Sequence, residues 1–291
     1  IDLEGVVVIG YGTQKKSVVT GAISSVKAKD LENTQITRVE QALQGRTSGM
    51  SVTSSSGSPG ASSTIRSRGV TTINNSDPLY IVDGVVVDNG GIDYLNSADI
   101  SSIEVLKDAA SQAIYGARAA NGVILITTKK GQSGKMNLSY NTYFGVQSPA
   151  KKLDMLNAKY YSTLINESRT NAGMSNLFDP DTMGAGTDWQ STIFNESAGI
   201  QNHELSLSGG NEKTTIYTSF GYFDQKGIVA SDISNYKRLN LRLNATYNVN
   251  KWLRMGNNFG YSHIKSQGSL NTNSEYGGPL SSAINLDPVT P

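Results

Sequence analysis

The sequence has 291 residues, enough for one large domain or two ordinary ones. Its net charge of +1 gives no field that would attract nucleic acid, and the absence of cysteine excludes a disulfide framework and thiolate chemistry. The 30 glycines, and 14 tyrosines against 6 phenylalanines, favour an antiparallel sheet with one wet face.

The first apolar segment is Val6-Val7-Val8-Ile9, a β-branched run between glycines. Such a run predicts either an edge strand of a globular domain or a detachable segment that adds to the sheet edge of another protein. Both alternatives stay open on these residues alone. Alternation from Val18 to Val26 predicts a further strand.

A short helix is predicted between Asp30 and Met50. Thr37 is the expected N-cap, and Glu40, three residues later, would complete a capping box. Apolar residues recur at helical spacing from Val39 to Leu43, and the run Gln44-Gly45-Arg46 should end the helix.

Two arginines lie two positions apart in the predicted strand from Ile65 to Gly69. Arg66 and Arg68 should therefore point to one face of that strand. Their simplest interpretation is a solvated sheet edge. A polar loop with two glycines and a proline, residues 54–63, precedes the strand.

The segment from Asp77 to Val85 predicts a hairpin, because Asp83-Gly84 lies between two apolar runs. Asp83 is most simply a turn residue. A helical turn is expected from Asn96 to Ile100, just before the next strand.

The stretch from Ser101 to Gly131 predicts strand, short helix, turn and strand. Asp108 stands where an N-cap would, and Gly116 is placed to end the helix in the left-handed conformation. The run from Val123 to Thr128 is apolar and β-branched, as in a buried strand.

This stretch, with Leu106-Lys107-Asp108-Ala109-Ala110 and the run from Ile114 to Gly131, resembles the plug domain of TonB-dependent outer-membrane transporters. In detail it is similar to the SusC/RagA branch. Siderophore receptors usually carry Arg-Gly-Pro where this chain has Lys107-Asp108-Ala109. The similarity extends over roughly residues 4 to 131 and implies an α+β plug domain.

The resemblance implies a TonB-box segment at residues 1–12 and a plug domain at residues 13–130. Within the first segment, the energising protein TonB would capture Val6, Val7, Val8 and Ile9 by strand addition. The polar residues expected at the plug–barrel interface are Arg66, Arg68, Asp83, Lys107, Asp108 and Arg118.

Residues 131–291 carry alternating segments of about ten residues, as in a barrel wall. The clearest runs from Lys237 to Val249, with leucines on one face and Arg238, Asn240, Arg242, Asn244 and Thr246 on the other. Other candidates are Met136 to Gln147, His203 to Gly209, Thr214 to Phe223 and Trp252 to His263, with residues 224–227 as a hairpin connection. A soluble β-sandwich would alternate equally, so the barrel is implied by the resemblance.

Residues 153–172 interrupt this pattern and predict a helix capped by Asn157, similar to an insertion after the first barrel strand of the family. Transporters of this type close with 22 strands. At about ten residues a strand, these 161 residues supply five or six. The expected fold is therefore an α+β plug domain followed by antiparallel transmembrane strands of an incomplete barrel, in a fragment of a longer protein.

No catalytic constellation, phosphate loop or metal-ligand spacing is evident, and His203 and His263 are far apart, so no cofactor is expected. The resemblance implies energised import of oligosaccharides or oligopeptides across a Gram-negative, Bacteroidetes-like outer membrane. The implied partners are TonB, a SusD-like surface lipoprotein and outer-membrane lipid, without nucleic acid. The alternative is an adhesin or structural barrel without active transport.

Overall fold

The computed structural model describes residues 6–9, 12–15, 23–31, 37–54, 56–67, 69, 76–87, 92–107, 115–268 and 278–290. The chain forms two compact units. The first comprises Ile1–Tyr143, Asn202–Phe223 and Lys237–Lys265; the second comprises Phe144–Gln201, Asp224–Tyr236 and Ser266–Pro291. Arg68, Asp108 and most of the helix predicted after Asp108 lie outside the described residues.

The first unit contains a five-stranded sheet, here called the plug sheet, in the order β3-β8-β9-β6-β7. Its strands are β3 Ile23–Lys27, β6 Leu79–Val82, β7 Val85–Val87, β8 Ile100–Leu106 and β9 Val123–Thr128. Strands β6 and β9 are parallel, and the other neighbours are antiparallel. Two separate pairs are β1 Val6–Ile9 with β2 Gly12–Lys15, and β4 Met50–Ser54 with β5 Ser63–Ser67.

The plug sheet is covered by apolar side chains on both faces. In β9, Ile124 and Ile126 enter one buried cluster, whereas Val123 and Leu125 enter another. This arrangement explains why β9 is apolar throughout, since every second residue faces a different core. A short α-helix, α1 Ala28–Leu31, follows β3.

Short 3₁₀ helices lie between these strands. Those in the described residues are Val39–Leu43, Ser97–Asp99 and Ala117–Ala119. The predicted capping box of the first is wrong: Gln41 Oε1 accepts from the backbone N–H groups of Thr37 and Arg38 at 3.1 and 3.4 Å. Glu40 cannot serve as the cap because its carboxylate binds the Arg38 guanidinium.

Two local predictions about left-handed residues are confirmed. Asp83 and Gly84 have φ of 49° and 87°, as a two-residue hairpin with positive φ at both central positions requires, and Val82 pairs with Val85 across it. Gly116 has φ of 70°. The helical turn predicted at Asn96 is also present, and its side chain accepts from Ala98 N at 3.2 Å.

The second five-stranded sheet, the wall sheet, follows chain order from β10 to β14. Its strands are β10 Gly134–Gln147, β11 Ala198–Gly210, β12 Thr214–Lys226, β13 Asn235–Asn248 and β14 Arg254–Gln267. All five predicted alternating segments overlap these strands, although Val249, Trp252 and Leu253, at the ends of two segments, lie outside them. The connection predicted at residues 224–227 is wrong, because β12 continues to Lys226 and the turn follows it.

Polarity across β13 is the reverse of that in a water-soluble sheet. Arg238, Asn240, Arg242 and Asn244 are only 3–6% exposed, whereas Leu241 on the other face is 40% exposed. A soluble β-sandwich would bury the leucines and expose the arginines. Polar-in and apolar-out alternation is instead typical of a membrane barrel wall.

The second unit contains three helices: α2 Ala158–Asn171, α3 Trp189–Ile193 and α4 Pro279–Asn285. The predicted cap of α2 is confirmed, since Asn157 Oδ1 accepts from Tyr160 N at 3.0 Å. None of the helices in the described residues is long and apolar enough to cross a membrane.

Candidate functional site

One strand of the wall sheet presents a row of donors to the plug residues of the first unit. The row comprises Arg238, Asn240, Arg242 and Asn244 of β13 and is called the docking strip. Alternation places all four on one face, with about 7 Å between successive members. Each is buried, so each needs a partner.

Three members of the docking strip bind main-chain carbonyl oxygens. Arg238 Nη1 donates to Thr37 O (3.1 Å) and Asp93 O (3.4 Å), Asn240 Nδ2 to Tyr94 O (2.5 Å), and Asn244 Nδ2 to Lys129 O (2.6 Å). Asn244 Nδ2 also lies 3.2 Å from Thr128 Oγ1. These contacts recognise the course of the plug backbone more than its side chains.

The fourth member, Arg242, lies between two plug carboxylates. Its Nε is 3.9 Å from Asp99 Oδ2, and its Nη1 is 3.8 Å from Asp83 Oδ2. All three side chains are at most 10% exposed. At this burial each charge depends on the others, because an uncompensated buried charge costs about 3–5 kcal/mol.

Asp99 is held by the neighbouring wall strand as well. Its Oδ1 accepts from Tyr217 Oη at 2.8 Å and from Ser219 Oγ at 2.5 Å, both on β12. The 3₁₀ turn that Asn96 caps presents this carboxylate. Hydrogen bonds to an ionised acceptor are about twice as strong as neutral ones, so Asp99 is the strongest polar contact of the plug in this network.

Asp83 binds both the plug and the wall. Within the plug, its Oδ1 accepts from Thr128 N at 2.9 Å and its Oδ2 from Thr128 Oγ1 at 2.6 Å. Its Oδ2 also accepts from Asn258 Nδ2 of β14 at 2.6 Å. The hairpin turn therefore joins β9 to the wall through one carboxylate.

Glycine allows the plug turn to approach the wall. A Cβ atom at Gly221 of β12 would lie 2.7 Å from Asn96 Nδ2, closer than real Cβ contacts allow. At Gly131, after β9, a Cβ atom would overlap the backbone of Ile216. A side chain at Gly131 would therefore clash with backbone, whereas one at Gly221 would displace the Asn96 side-chain amide.

A second buried ion pair lies inside the plug. Arg38 Nη2 and Nε bind the two Glu40 oxygens at 2.8 and 3.3 Å, and Arg38 Nη1 donates to Gly60 O at 3.2 Å in the polar loop. Burial, and then the nearby Glu40 charge, raise the pKa of the Tyr80 hydroxyl well above 10. Arg38 thus ties the loop to the plug interior.

The N-terminal segment is separate from the plug sheet. Strand β1 pairs only with β2 among the described residues, with Val6 opposite Lys15 and Ile9 opposite Gly12. A lone two-stranded hairpin is at best marginally stable in water. The four residues predicted to bind TonB therefore form a small hairpin of their own.

The structure places the predicted interface residues in different environments. Asp83 lies in the network described above. Lys107 Nζ donates to Ser24 Oγ and to Ser48 inside the plug, whereas Arg66 on β5 and Arg118 are exposed. The alternation of β13 was recognised from the sequence, but the docking strip, Tyr217, Ser219, Asp99 and Asn258 were not assigned to the interface. Two arginines on the polar face of a wall strand were the available signal.

The described residues contain no group of three or more His, Asp or Glu side chains that could hold a metal ion. The arrangement consists of hydrogen bonds and carboxylate–guanidinium pairs. It can hold two parts of the chain together through polar bonds, and those bonds can exchange with water.

Comparison with known proteins identifies the first part of the chain. Residues 15–123 match the family described as TonB-dependent Receptor Plug Domain. TonB-dependent receptor P26 of Formosa agariphila is 43% identical over 92% of this chain and 27% of its own length. TonB-dependent receptor SusC of Bacteroides thetaiotaomicron is 36% identical over 99% of this chain and 28% of its own length. The chain thus spans about a quarter of these relatives.

Solved structures agree with this result. The RagAB peptide importer in its open-open state superposes with a TM-score of 0.77 at 31% identity, over 91% of this chain and 33% of that chain. The siderophore receptor PirA from Acinetobacter baumannii has the same fold at 16% identity, with a TM-score of 0.56 over 91% of this chain and 35% of its own. The SusC- and RagA-like proteins are therefore more similar to this chain than that siderophore receptor is.

Proposed function

Because the chain belongs to the SusC/RagA-like TonB-dependent receptors, of which it carries the plug domain and the first barrel strands, we propose that the whole protein imports nutrients through the outer membrane. Its cargo would be an oligosaccharide or an oligopeptide. A SusD-like surface lipoprotein would cover the cargo, and TonB would supply the energy. No covalent step is required.

The observation that carries this proposal is the chemistry of the plug–wall contact. The plug has its own apolar core, but it meets the docking strip through hydrogen bonds and carboxylate–guanidinium pairs. A neutral hydrogen bond adds only about 0.5–1.5 kcal/mol, because water replaces it when it breaks. A plug held in this way can move as a folded body.

The N-terminal hairpin supports the role of TonB. Adding a strand to Val6–Ile9 requires its separation from Gly12–Lys15, and the pairing involves four residues on each side. The backbone bonds lost to β2 would be regained with the incoming strand. This exchange leaves the plug sheet intact, and pulling then acts on the chain before β3.

The printed name of one relative states a cargo class. RagAB is described as a peptide importer, whereas SusC of Bacteroides thetaiotaomicron is described as a TonB-dependent receptor without a stated cargo. For this protein both peptide and glycan remain proposed cargoes, and the uptake of labelled oligopeptides and oligosaccharides distinguishes them.

The first test deletes Val6–Ile9 from the whole protein and measures uptake of labelled oligopeptides and oligosaccharides by intact cells. Uptake of one class should be lost, whereas binding at the cell surface should remain. A Gln14→Thr variant on the paired strand β2 leaves Val6–Ile9 in place; it is the matched control and should import normally. Unchanged uptake after the deletion would favour the adhesin alternative.

A second test asks whether the plug must leave the wall. The Cβ position of Gly221 lies 3.7 Å from Asn96 Cγ, so Asn96→Cys combined with Gly221→Cys places two thiols within reach of a disulfide. Uptake should stop on oxidation and return on reduction, while each single variant stays active under both conditions. Import that continues with the bond formed would contradict plug displacement at this contact.

A further inference from the structure

We infer that the docking strip has a second role: when the plug is displaced, the same donors bind an extended, acidic oligopeptide on its way through the barrel. This inference rests on the proposed import function. It assigns a binding site and a cargo chemistry to wall residues that hold the plug at rest.

The acceptors that the docking strip binds at rest are of the kinds found in a peptide. The docking strip holds main-chain carbonyl oxygens and two carboxylates. Peptide cargo offers those same groups. Donors at every second residue of a strand recur about every 7 Å, which matches the repeat at which an extended peptide turns successive carbonyl groups to one side.

Displacement of the plug would also change the charge around the docking strip. Asp83 and Asp99, the two carboxylates next to Arg242, both belong to the plug. Displacement of the plug therefore removes both from a site where the guanidinium is nearly buried. Among the described residues, Arg238 has no carboxylate within 4 Å even when the plug is docked; its partners are carbonyl groups and the Phe223 ring, 5.8 Å from the guanidinium carbon. Among the described residues, displacement would leave Arg238 and Arg242 without a carboxylate within 4 Å.

One donor of the docking strip, Arg238 Nε, is unused while the plug is docked. Arg238 is 3% exposed, and its Nε has no hydrogen-bond partner in the docked state. A buried unpaired donor costs about 1–3 kcal/mol. A carboxylate can bind both Nε and a terminal nitrogen of a guanidinium, an arrangement that the plug carbonyls at Arg238 do not provide.

The flanking residues suit a peptide backbone. Asn240 and Asn244 donate to carbonyl groups, and Asn258 and Ser262 extend the polar surface onto β14, where Ser262 Oγ lies 3.3 Å from Asn240 Nδ2. Two cationic groups among neutral amides would concentrate anionic cargo, as in anion-selective pores.

The experiment uses the whole protein in cells with three labelled hexapeptides that differ only in charge, carrying two Asp, two Asn or two Lys residues. Uptake is divided by the amount bound at the surface of de-energised cells, which separates passage from capture. The wild type should import the Asp peptide fastest. Arg238→Gln should reduce the Asp-to-Asn uptake ratio about two- to fivefold, the effect of one partly screened charge pair.

Two variants make the result specific. Arg238→Lys retains the charge but lacks the paired Nε and Nη donors, so it should restore only part of the ratio. Lys237→Gln removes the same charge from the exposed, opposite face of β13 and should leave the ratio unchanged. An equal reduction for all three peptides in Arg238→Gln would show a structural role only and would overturn the inference.

A charge effect confined to uronate-bearing oligosaccharides, tested in parallel with neutral ones, would also overturn the assignment to peptides. These results are separable from the import proposal. Loss of uptake after deletion of Val6–Ile9, together with an unchanged charge preference in Arg238→Gln, would leave import standing and reject the second role of the docking strip.

Discussion

Within the first unit, apolar packing holds the interior of the plug together, whereas polar side chains form its contact with the wall. Inside, Ile100, Ile103 and Leu106 are completely buried among apolar neighbours. At the contact, arginines, asparagines and two aspartates meet. Water cannot replace apolar packing without unfolding, whereas it can replace hydrogen bonds group by group. The difference indicates a domain that resists unfolding more than it resists displacement.

The largest expected effect comes from removing an apolar side chain from the interior of the plug. Ile103→Ala removes a fully buried side chain that pairs across the sheet with Ile126, and it should lower the free energy of unfolding of the plug by about 2–5 kcal/mol. Limited proteolysis of the whole protein in detergent, read by mass spectrometry, should then show cleavage within β8 and β9. Val85→Ala, at a position 65% exposed, is the control and should leave both strands protected.

A smaller effect is expected from the contact itself. Asp99→Asn removes the negative charge of the carboxylate that accepts from Tyr217 and Ser219 and faces Arg242. The plug–wall contact should lose about 1.5–3 kcal/mol of stability, the contribution of a hydrogen bond to a charged group. Cleavage should increase in residues 92–99, with β8 and β9 still protected. Cleavage in β9 would mean that interior and contact are not separable. The exposed carboxylate of Asp181 provides the comparison, and Asp181→Asn should change neither region.

The third substitution tests how closely the plug turn approaches the wall, and it changes no charge. Gly221→Val places a side chain where the Asn96 amide lies, so that amide must move and its capping bond from Ala98 N should weaken. We expect faster hydrogen exchange at residues 96–99 and little change in the melting temperature of the plug interior. Gly260→Val, where a Cβ atom meets nothing, is the matched control on β14. Equal exchange in both variants would show that the turn does not need this glycine.

The smallest effect concerns alkaline pH and the interior alone. Because burial raises the pKa of Tyr80, the hydroxyl ionises in the unfolded chain near pH 10 and only at higher pH in the folded one. Its stabilising contribution is therefore complete below pH 10 and is lost as pH rises beyond that value. Tyr80→Phe should flatten the fall in melting temperature between pH 9 and 11. Tyr160→Phe, on the exposed side of α2, should retain the wild-type slope.

Local chemistry made much of the fold predictable. Alternation located all five wall strands, and Asp83-Gly84 and Asn157 were recognised because turns and caps depend on neighbouring residues. The Thr37 cap failed because Glu40 pairs with the buried Arg38, two residues before it, and the Gln41 side chain takes the capping role instead. The domain boundaries at residues 12 and 130 stay predictions.

The site was harder to predict than the fold. Asp99 and Tyr217 are separated by 118 positions, and Asn258 and Asp83 by 175. Such pairs depend on how the plug meets the wall, and one sequence carries no signal of that. The predicted interface residues were chosen from the plug alone, whereas the donors lie on the wall.

The short connection between β9 and β10 sets a limit on any excursion of the plug. Strand β9 ends at Thr128 and β10 begins at Gly134, so five residues act as a tether, about 16–18 Å long when fully extended. Close packing of Gly131 on Ile216 and the bond from Asn244 to Lys129 O shorten it further. While both strands stay intact, this connection keeps the end of β9 within that distance of the start of β10, so a displaced plug would remain tethered beside the first wall strand.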